Sequence, residues 1–386
     1  MSSVTQATVA LLLAVRIVAA EQTTNIQVLQ DASQRIAAHD YASSERELKS
    51  LLEQDPTEHR AENLLGVIYA ERGDDTAAEK EFRSAMADPE LVGARVNLGL
   101  LLERKREYPQ AADLFETAYR HDPTRSDART GAVRVLRTDA QMAFRAGENE
   151  KALAELLRAR KLAPNDPDLL YEFGIVCLGQ SLYADAESAL AQAVMLRPGF
   201  PAAFYALGRA QIGTQDFGEA EKSMMRYNEL QPNDPTALYG LGLVASLQKR
   251  DSEARKYFGR SLALQPAQTE SWFELGSLDL AAKDLPKAEE EFRHVLSRNP
   301  KHAGALLGLA QVLFQRREYP AVKSELEAAL NVDPNSSKAH YYLGLTLSRL
   351  GDQEASTREL QTADRLQHEQ LERNRVQMRL ADPPQS

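Results

Sequence analysis

Few residues in this chain of 386 are spaced for covalent chemistry. Gly240-Leu241-Gly242-Leu243-Val244-Ala245 fits the phosphate-binding pattern G-x-G-x-x-A. That loop works only where it follows a strand and opens a helix, so that backbone N–H groups face a pyrophosphate. His39, His59, His121, His294, His302, His340 and His368 are scattered without metal-ligand spacing, and no metal is assigned. Cys177 stands alone, which excludes an intrachain disulfide and a cysteine-based zinc site. No G-x-x-x-x-G-K-[ST] or G-x-S-x-G occurs, and no carboxylate pair stands out from the surface acids. The expectation is a chain with no catalytic residue and no cofactor.

Two sets of residues are better suited to binding. Arg120 to Lys161 carries ten Lys/Arg against six Asp/Glu, a local excess of four positive charges in a chain whose net charge is −10. Within it Arg129, Arg134 and Arg137 form either a basic patch for an acidic partner or a solvated helix surface. The second set recurs every 34 residues: Tyr171, Tyr205, Tyr239, Phe273, Leu307 and Tyr341. Arg209 follows Tyr205 by one helical turn. Aromatic rings bury large area at low rotamer cost, so such a stripe suits a peptide ligand. The other reading is packing between neighbouring units.

The elements that position these residues follow from the prolines. Pro56, Pro89, Pro123, Pro164, Pro198, Pro232, Pro266, Pro300 and Pro334 are spaced 33, 34, 41, 34, 34, 34, 34 and 34. Ten residues after most of them stands a glycine: Gly66, Gly99, Gly174, Gly208, Gly242, Gly276 and Gly344. Twelve further on comes Ala78, Ala111, Ala186, Ala220, Ala254 or Ala288, with Ser356 in the last unit. Each period reads as helix, turn, helix, stop. Proline ends the second helix because it lacks an N–H and clashes with the preceding turn. The glycine and alanine columns mark faces that must approach closely. Phe82, Phe115, Leu190, Met224, Phe258, Phe292 and Leu326 fill one column of the second helix. Gly240–Ala245 then lies inside a first helix, with Gly242 in the packing column, which is the wrong setting for a phosphate loop.

This pattern resembles the tetratricopeptide repeat, W-x2-L-G-x2-Y, then A-x3-F, then P, over about 34 residues. Trp272-Phe273-Glu274-Leu275-Gly276 with Ala288, Phe292 and Pro300 is the fullest match, and Leu65-Gly66-Val67-Ile68-Tyr69 with Ala78 and Phe82 is another. The resemblance covers roughly residues 25–370. It implies an all-α, right-handed superhelical solenoid of about ten antiparallel helix pairs, whose first helices line a concave groove. The units fall at 25–58, 59–91, 92–125, 126–166, 167–200, 201–234, 235–268, 269–302, 303–336 and 337–370.

As domains these are repeats at 21–125, an irregular unit at 126–166, repeats at 167–370, and a cap helix end and tail at 371–386. The irregular unit is seven residues longer, nearly two helical turns, which lengthens a helix without rotating its buried face. It reads as a seam between two segments. Family members that clamp a carboxylate-ended peptide use paired Lys/Arg and Asn on adjacent first helices. Here only Arg60, Asn63 and Asn97 qualify and the lysines are missing.

At the amino end, Val9 to Val15 (VALLLAV), then Arg16 and Ile17-Val18-Ala19-Ala20, read as a secretory signal peptide cleaved before Glu21, placing the protein in the periplasm or outside the cell. The other reading is an extra helix on a cytoplasmic protein. The run is too short to span a bilayer, which takes about 20 apolar residues. Net negative charge argues against nucleic acid as a partner. The function expected is a non-catalytic scaffold that binds a protein or peptide. The rivals are a cytoplasmic co-chaperone or adaptor subunit, and a catalytic protein with a site in the irregular unit.

Overall fold

The structure, a computed structural model, describes residues 25–381. Residues 1–20, read above as a signal peptide, lie outside them. The described residues hold twenty helices and no strand. They pair as α1 (25–37) with α2 (Tyr41–Gln54), α3 (His59–Glu71) with α4 (Asp75–Ala85), and α5 (Val92–Arg104) with α6 (Tyr108–His121). Next come α7 (Ser126–Arg145) with α8 (Asn149–Leu162) and α9 (Pro167–Gly179) with α10 (Tyr183–Leu196). Then follow α11 (Pro201–Gly213) with α12 (Phe217–Leu230), α13 (Pro235–Leu247) with α14 (Asp251–Leu264), and α15 (Thr269–Ala281) with α16 (Leu285–Arg298). The last pairs are α17 (Ala303–Gln315) with α18 (Tyr319–Val332), and α19 (Ser337–Leu350) with α20 (Gln353–Ala381).

The chain divides into two compact units, one ending at Arg197 and one beginning at Pro198. The division therefore falls between α10 and α11. The seven extra residues lie inside α7, which has 20 residues where α5 and α9 have 13. Because α7 still packs on α6 and α8, its added length leaves the first unit's stack unbroken.

Seven of the ten pairs are held by a large side chain of the second helix pressed onto a glycine of the first. A Cβ added at Gly66 would come within 2.5 Å of the Phe82 ring, and one at Gly242 within 2.6 Å of Phe258. Phe82, Phe115, Phe258 and Phe292 are all fully buried. Three second-helix side chains also touch the next first helix through a second glycine. Phe115 lies between Gly99 and Gly131, Met224 between Gly208 and Gly240, and Phe292 between Gly276 and Gly308. Any larger residue at these glycines would force helices apart in an interior already at crystal-like density.

Each pair is closed by a turn with one left-handed residue. Gly73, Gly147 and Gly351 supply it at φ of 79°, 79° and 92°; in the others it is His39, Arg106, Ser181, Gln215, Lys249, Lys283 or Arg317. Asp40, Asp74, Asp216 and Asp284 follow such residues and cap the second helix, accepting from the backbone N–H three residues on. The next pair starts with a proline at its first positions in α9, α11 and α13, where the missing N–H costs nothing.

Glycine substitutions separate contact from helix propensity. Gly308→Ala places a methyl 2.5 Å from the Phe292 ring and should lower stability by about 1–3 kcal/mol. Gly259, on the exposed face of α14 with nothing within 4 Å of an added Cβ, should gain about 0.5–1 kcal/mol on change to alanine. Urea unfolding followed by circular dichroism checks both.

Candidate functional site

In the second unit the aromatic column occupies the fifth residue of each first helix: Tyr205 on α11, Tyr239 on α13, Phe273 on α15, Leu307 on α17 and Tyr341 on α19. Successive first helices of this unit touch one another, so these residues form a row along one face. The first four are half-buried and Tyr341 is 48% exposed.

Their rings also belong to the packing. Tyr205 lies 5.4 Å from the Tyr227 ring, Tyr239 6.0 Å from Phe258, and Phe273 6.1 Å from Phe292 and 5.0 Å from His302. Each thus leans on the second helix of its own pair, and Phe273 also packs against the start of α17. Burial raises the phenol pKa of both Tyr205 and Tyr239, so both remain neutral hydrogen-bonding groups. Arg209 is exposed one turn beyond Tyr205, and its charge opposes that rise at both phenols.

Tyr171, the first-unit member of the column, has a different setting. With Ala140, Phe144, Leu156, Ile175 and Val176 it lines an apolar slot of about 140 Å³. Ala140 stands twelve residues before Ala152, as Gly66 stands before Ala78, so Ala140 and Phe144 hold ordinary first-helix positions. A matching recess lies earlier in the same unit, among Val67, Ala70, Phe82, Asn97 and Leu101, so the slot is a feature of the regular repeat.

The expected basic patch is largely neutralised. Arg134 donates two hydrogen bonds of 2.6 Å to Glu103 of α5. Arg137 donates two, of 2.9 and 2.6 Å, to Glu172 of α9. Arg158 is shared among Asp113, Glu116 and Glu155. Arg134 and Arg137 thus tie α7 to the first helices on either side, and of the three candidates Arg129 alone lacks an ion pair among the described residues. The carboxylate-clamp candidates are also engaged. Asn97 donates to Asn63 at 2.9 Å, and Arg60 makes two bonds of 2.6 Å to Glu58.

The most perturbed acid in the described residues is Glu291. Inside three helix pairs, polar residues twelve apart meet between the two helices. Lys151 pairs with Asp139 at 3.0 Å and Ser223 donates to Gln211 at 2.7 Å, whereas α15 and α16 bring together Asp279 and Glu291, two acids. Asp279 is 3% exposed and Glu291 9%. Arg255 of α14 lies 2.5 Å from Asp279. Burial and the neighbouring Asp279 push Glu291 up to about 8, and its Oε2 has no hydrogen-bond partner. A carboxyl so tuned suits acid catalysis in an open cleft. Here it is enclosed between packed helices. Cys177 is likewise buried and its thiol pushed up to about 12, which keeps it from forming a thiolate. No cluster of three or more His, Cys, Asp or Glu suited to a metal occurs among the described residues.

Comparison with known proteins concerns the fold. One tetratricopeptide repeat family model matches residues 32–91, 96–167 and 137–204, and a second matches 178–247. A model of the middle TPR-like domain of cilia and flagella-associated protein 70 matches 238–367. No curated protein sequence matches the chain. Among solved structures, the APC/C hetero-tetramer Cut9–Hcn1 is similar over 87% of this chain and 92% of that one, at 11% identity and a TM-score of 0.50. PilF of Pseudomonas aeruginosa is 19% identical over 55% of this chain and 97% of that one, TM-score 0.47. YrrB, described as a TPR protein with an unusual peptide-binding site, is 18% identical over 47% of this chain and 93% of that one, TM-score 0.37.

The acid pair makes stability depend on pH. Folding raises the Glu291 pKa from 4.5 to about 8, so the folded chain holds a proton that the unfolded chain releases between those values. Stability from this site is full below the lower value and falls as pH rises to the upper one. Glu291→Gln should gain about 1–3 kcal/mol over wild type between about pH 5 and about pH 8.5 in urea unfolding.

Proposed function

The chain belongs to the tetratricopeptide repeat family, and on that premise we propose that it is a non-catalytic scaffold holding a peptide or protein segment on the first-helix face of its second unit. The observation that carries this reading is the row Tyr205, Tyr239, Phe273, Leu307 and Tyr341, one residue from every first helix of that unit. Half-buried rings anchored in the packing offer apolar area already fixed in place, which lowers the ordering cost of binding. Arg209 and the tyrosine hydroxyls supply the polar contacts that orient a ligand. Tyr171 and its slot offer the first unit a separate anchor point for an apolar side chain. A net charge of −10 supports a protein partner over nucleic acid. The protein works in an exported setting, periplasmic or secreted, with residues 1–20 acting as its signal.

Capture from the native cell, comparing wild type with a variant in which Tyr171, Tyr205, Tyr239 and Phe273 are alanine, tests the face. A partner should be lost from the variant while its helical circular dichroism persists, since truncating central aromatic anchors costs about 2 kcal/mol or more each in binding. Partners kept by both proteins would move the working surface elsewhere and end this reading. Intact mass of the native protein should correspond to a chain starting at Glu21. A mass that includes residues 1–20 would return the protein to the cytoplasm.

A further inference from the structure

On α15, Glu270, Phe273, Glu274 and Ser277 fall at i, i+3, i+4 and i+7 and share one face. Glu274 occupies the sixth position of its helix, which is Ala206 on α11, Gly240 on α13 and Gly308 on α17. Gly240 and Gly308 of the adjoining first helices lie against Met224 and Phe292 of the preceding pair; α15 carries a carboxylate at this position, and α19 carries Tyr342.

That carboxylate is half-buried and makes no hydrogen bond or ion pair among the described residues. Burial alone pushes its pKa up, with no cation near enough to oppose the shift. It lies close enough to act on the Tyr239 hydroxyl, and Glu270 acts on the hydroxyls of both Tyr205 and Tyr239. Arg209, the one cation acting at those hydroxyls, leaves Glu274 uncompensated.

An acid removed from water without a partner is unfavourable in the free protein, and the deficit disappears when a cation arrives. Tyrosine faces beside it favour the same ligand, because a ring's quadrupole attracts a cation and its area covers an aliphatic stem. We propose that the first-helix face of the second unit takes a segment bearing a lysine or arginine, whose charged head pairs with Glu274 while its stem lies along Tyr205 and Tyr239. Glu270 adds a second negative charge to the same stretch, so an acidic segment is repelled there. This selectivity rests on the binding face proposed above and specifies its ligand.

A phage-displayed library of random nine-residue peptides, selected on the full-length protein, tests both levels. Selected peptides should share a Lys or Arg at a fixed place. By fluorescence anisotropy, Glu274→Gln should weaken their binding at least tenfold. Replacing the peptide's basic residue by alanine should do the same, and the two losses should not add. Glu274→Lys should select peptides with Asp or Glu in that place. If selected peptides lack the basic residue, or bind Glu274→Gln unchanged while a Tyr205→Ala/Tyr239→Ala variant loses them, the cation reading is overturned and the face stands. If they bind the tyrosine variant as they bind wild type, or if no peptide is enriched, the face and the cation reading fall together.

Discussion

The structure depends on one repeated contact, a bulky side chain of a second helix seated on bare backbone of a first helix. Phe82 on Gly66, Phe115 on Gly99, Phe258 on Gly242 and Phe292 on Gly276 are its aromatic forms, with Leu190 on Gly174 and Met224 on Gly208 its aliphatic ones. Each brings two helices to a separation that a Cβ would forbid. Where a second glycine faces the same side chain from the next pair, as at Gly131, Gly240 and Gly308, one side chain fixes three helices. The alanines at 78, 111, 186, 220, 254 and 288, all fully buried, keep the opposite surface equally close. Stability is therefore passed from neighbour to neighbour, as expected of a quasi-one-dimensional array.

Electrostatics follow the same periodicity. Residues twelve apart meet inside a pair, and what they are decides whether the meeting is favourable. Lys151 with Asp139 is complementary, Ser223 with Gln211 neutral, and Asp279 with Glu291 unfavourable unless a proton is shared and Arg255 stays in place. Between first helices the spacing is close to one repeat. Glu103 reaches Arg134 and Arg137 reaches Glu172 across 31 and 35 residues of sequence. Charges that look like a surplus in one segment are thus matched by acids in the segments before and after it.

The face that carries the proposed function shares side chains with the packing. Tyr205, Tyr239 and Phe273 lean on Tyr227, Phe258 and Phe292, so the groups that contact a ligand are held by the side chains that hold the fold. Rigidity of this kind suits recognition, and it means that the column repeats for two reasons at once. Glu274 departs from its adjoining first helices, which have Gly240 and Gly308 at the same position, and its carboxyl makes no hydrogen bond or ion pair within the described residues.

The repeat itself was legible in the residues, because its constraints are local and steric. Proline stops a helix wherever it stands, and glycine at a fixed distance marks a close approach. The columns at 66–344 and 78–356 accordingly give the helix pairs, their length and their order. Less was visible where the constraint is met by a residue without a strong preference of its own. Seven of the ten left-handed turn residues are not glycine, and the second glycine contact occurs in three pairs only. The sequence by itself determined an all-α array and the row of rings along it, since both follow from a fixed period. Tertiary structure decided that Arg134 and Arg137 are paired, that Tyr171 lines a slot, that the chain divides at Pro198, and that Glu274 is left without a partner. Each of these depends on which side chain a distant segment brings alongside, and a repeat period fixes position but not the identity of the neighbour.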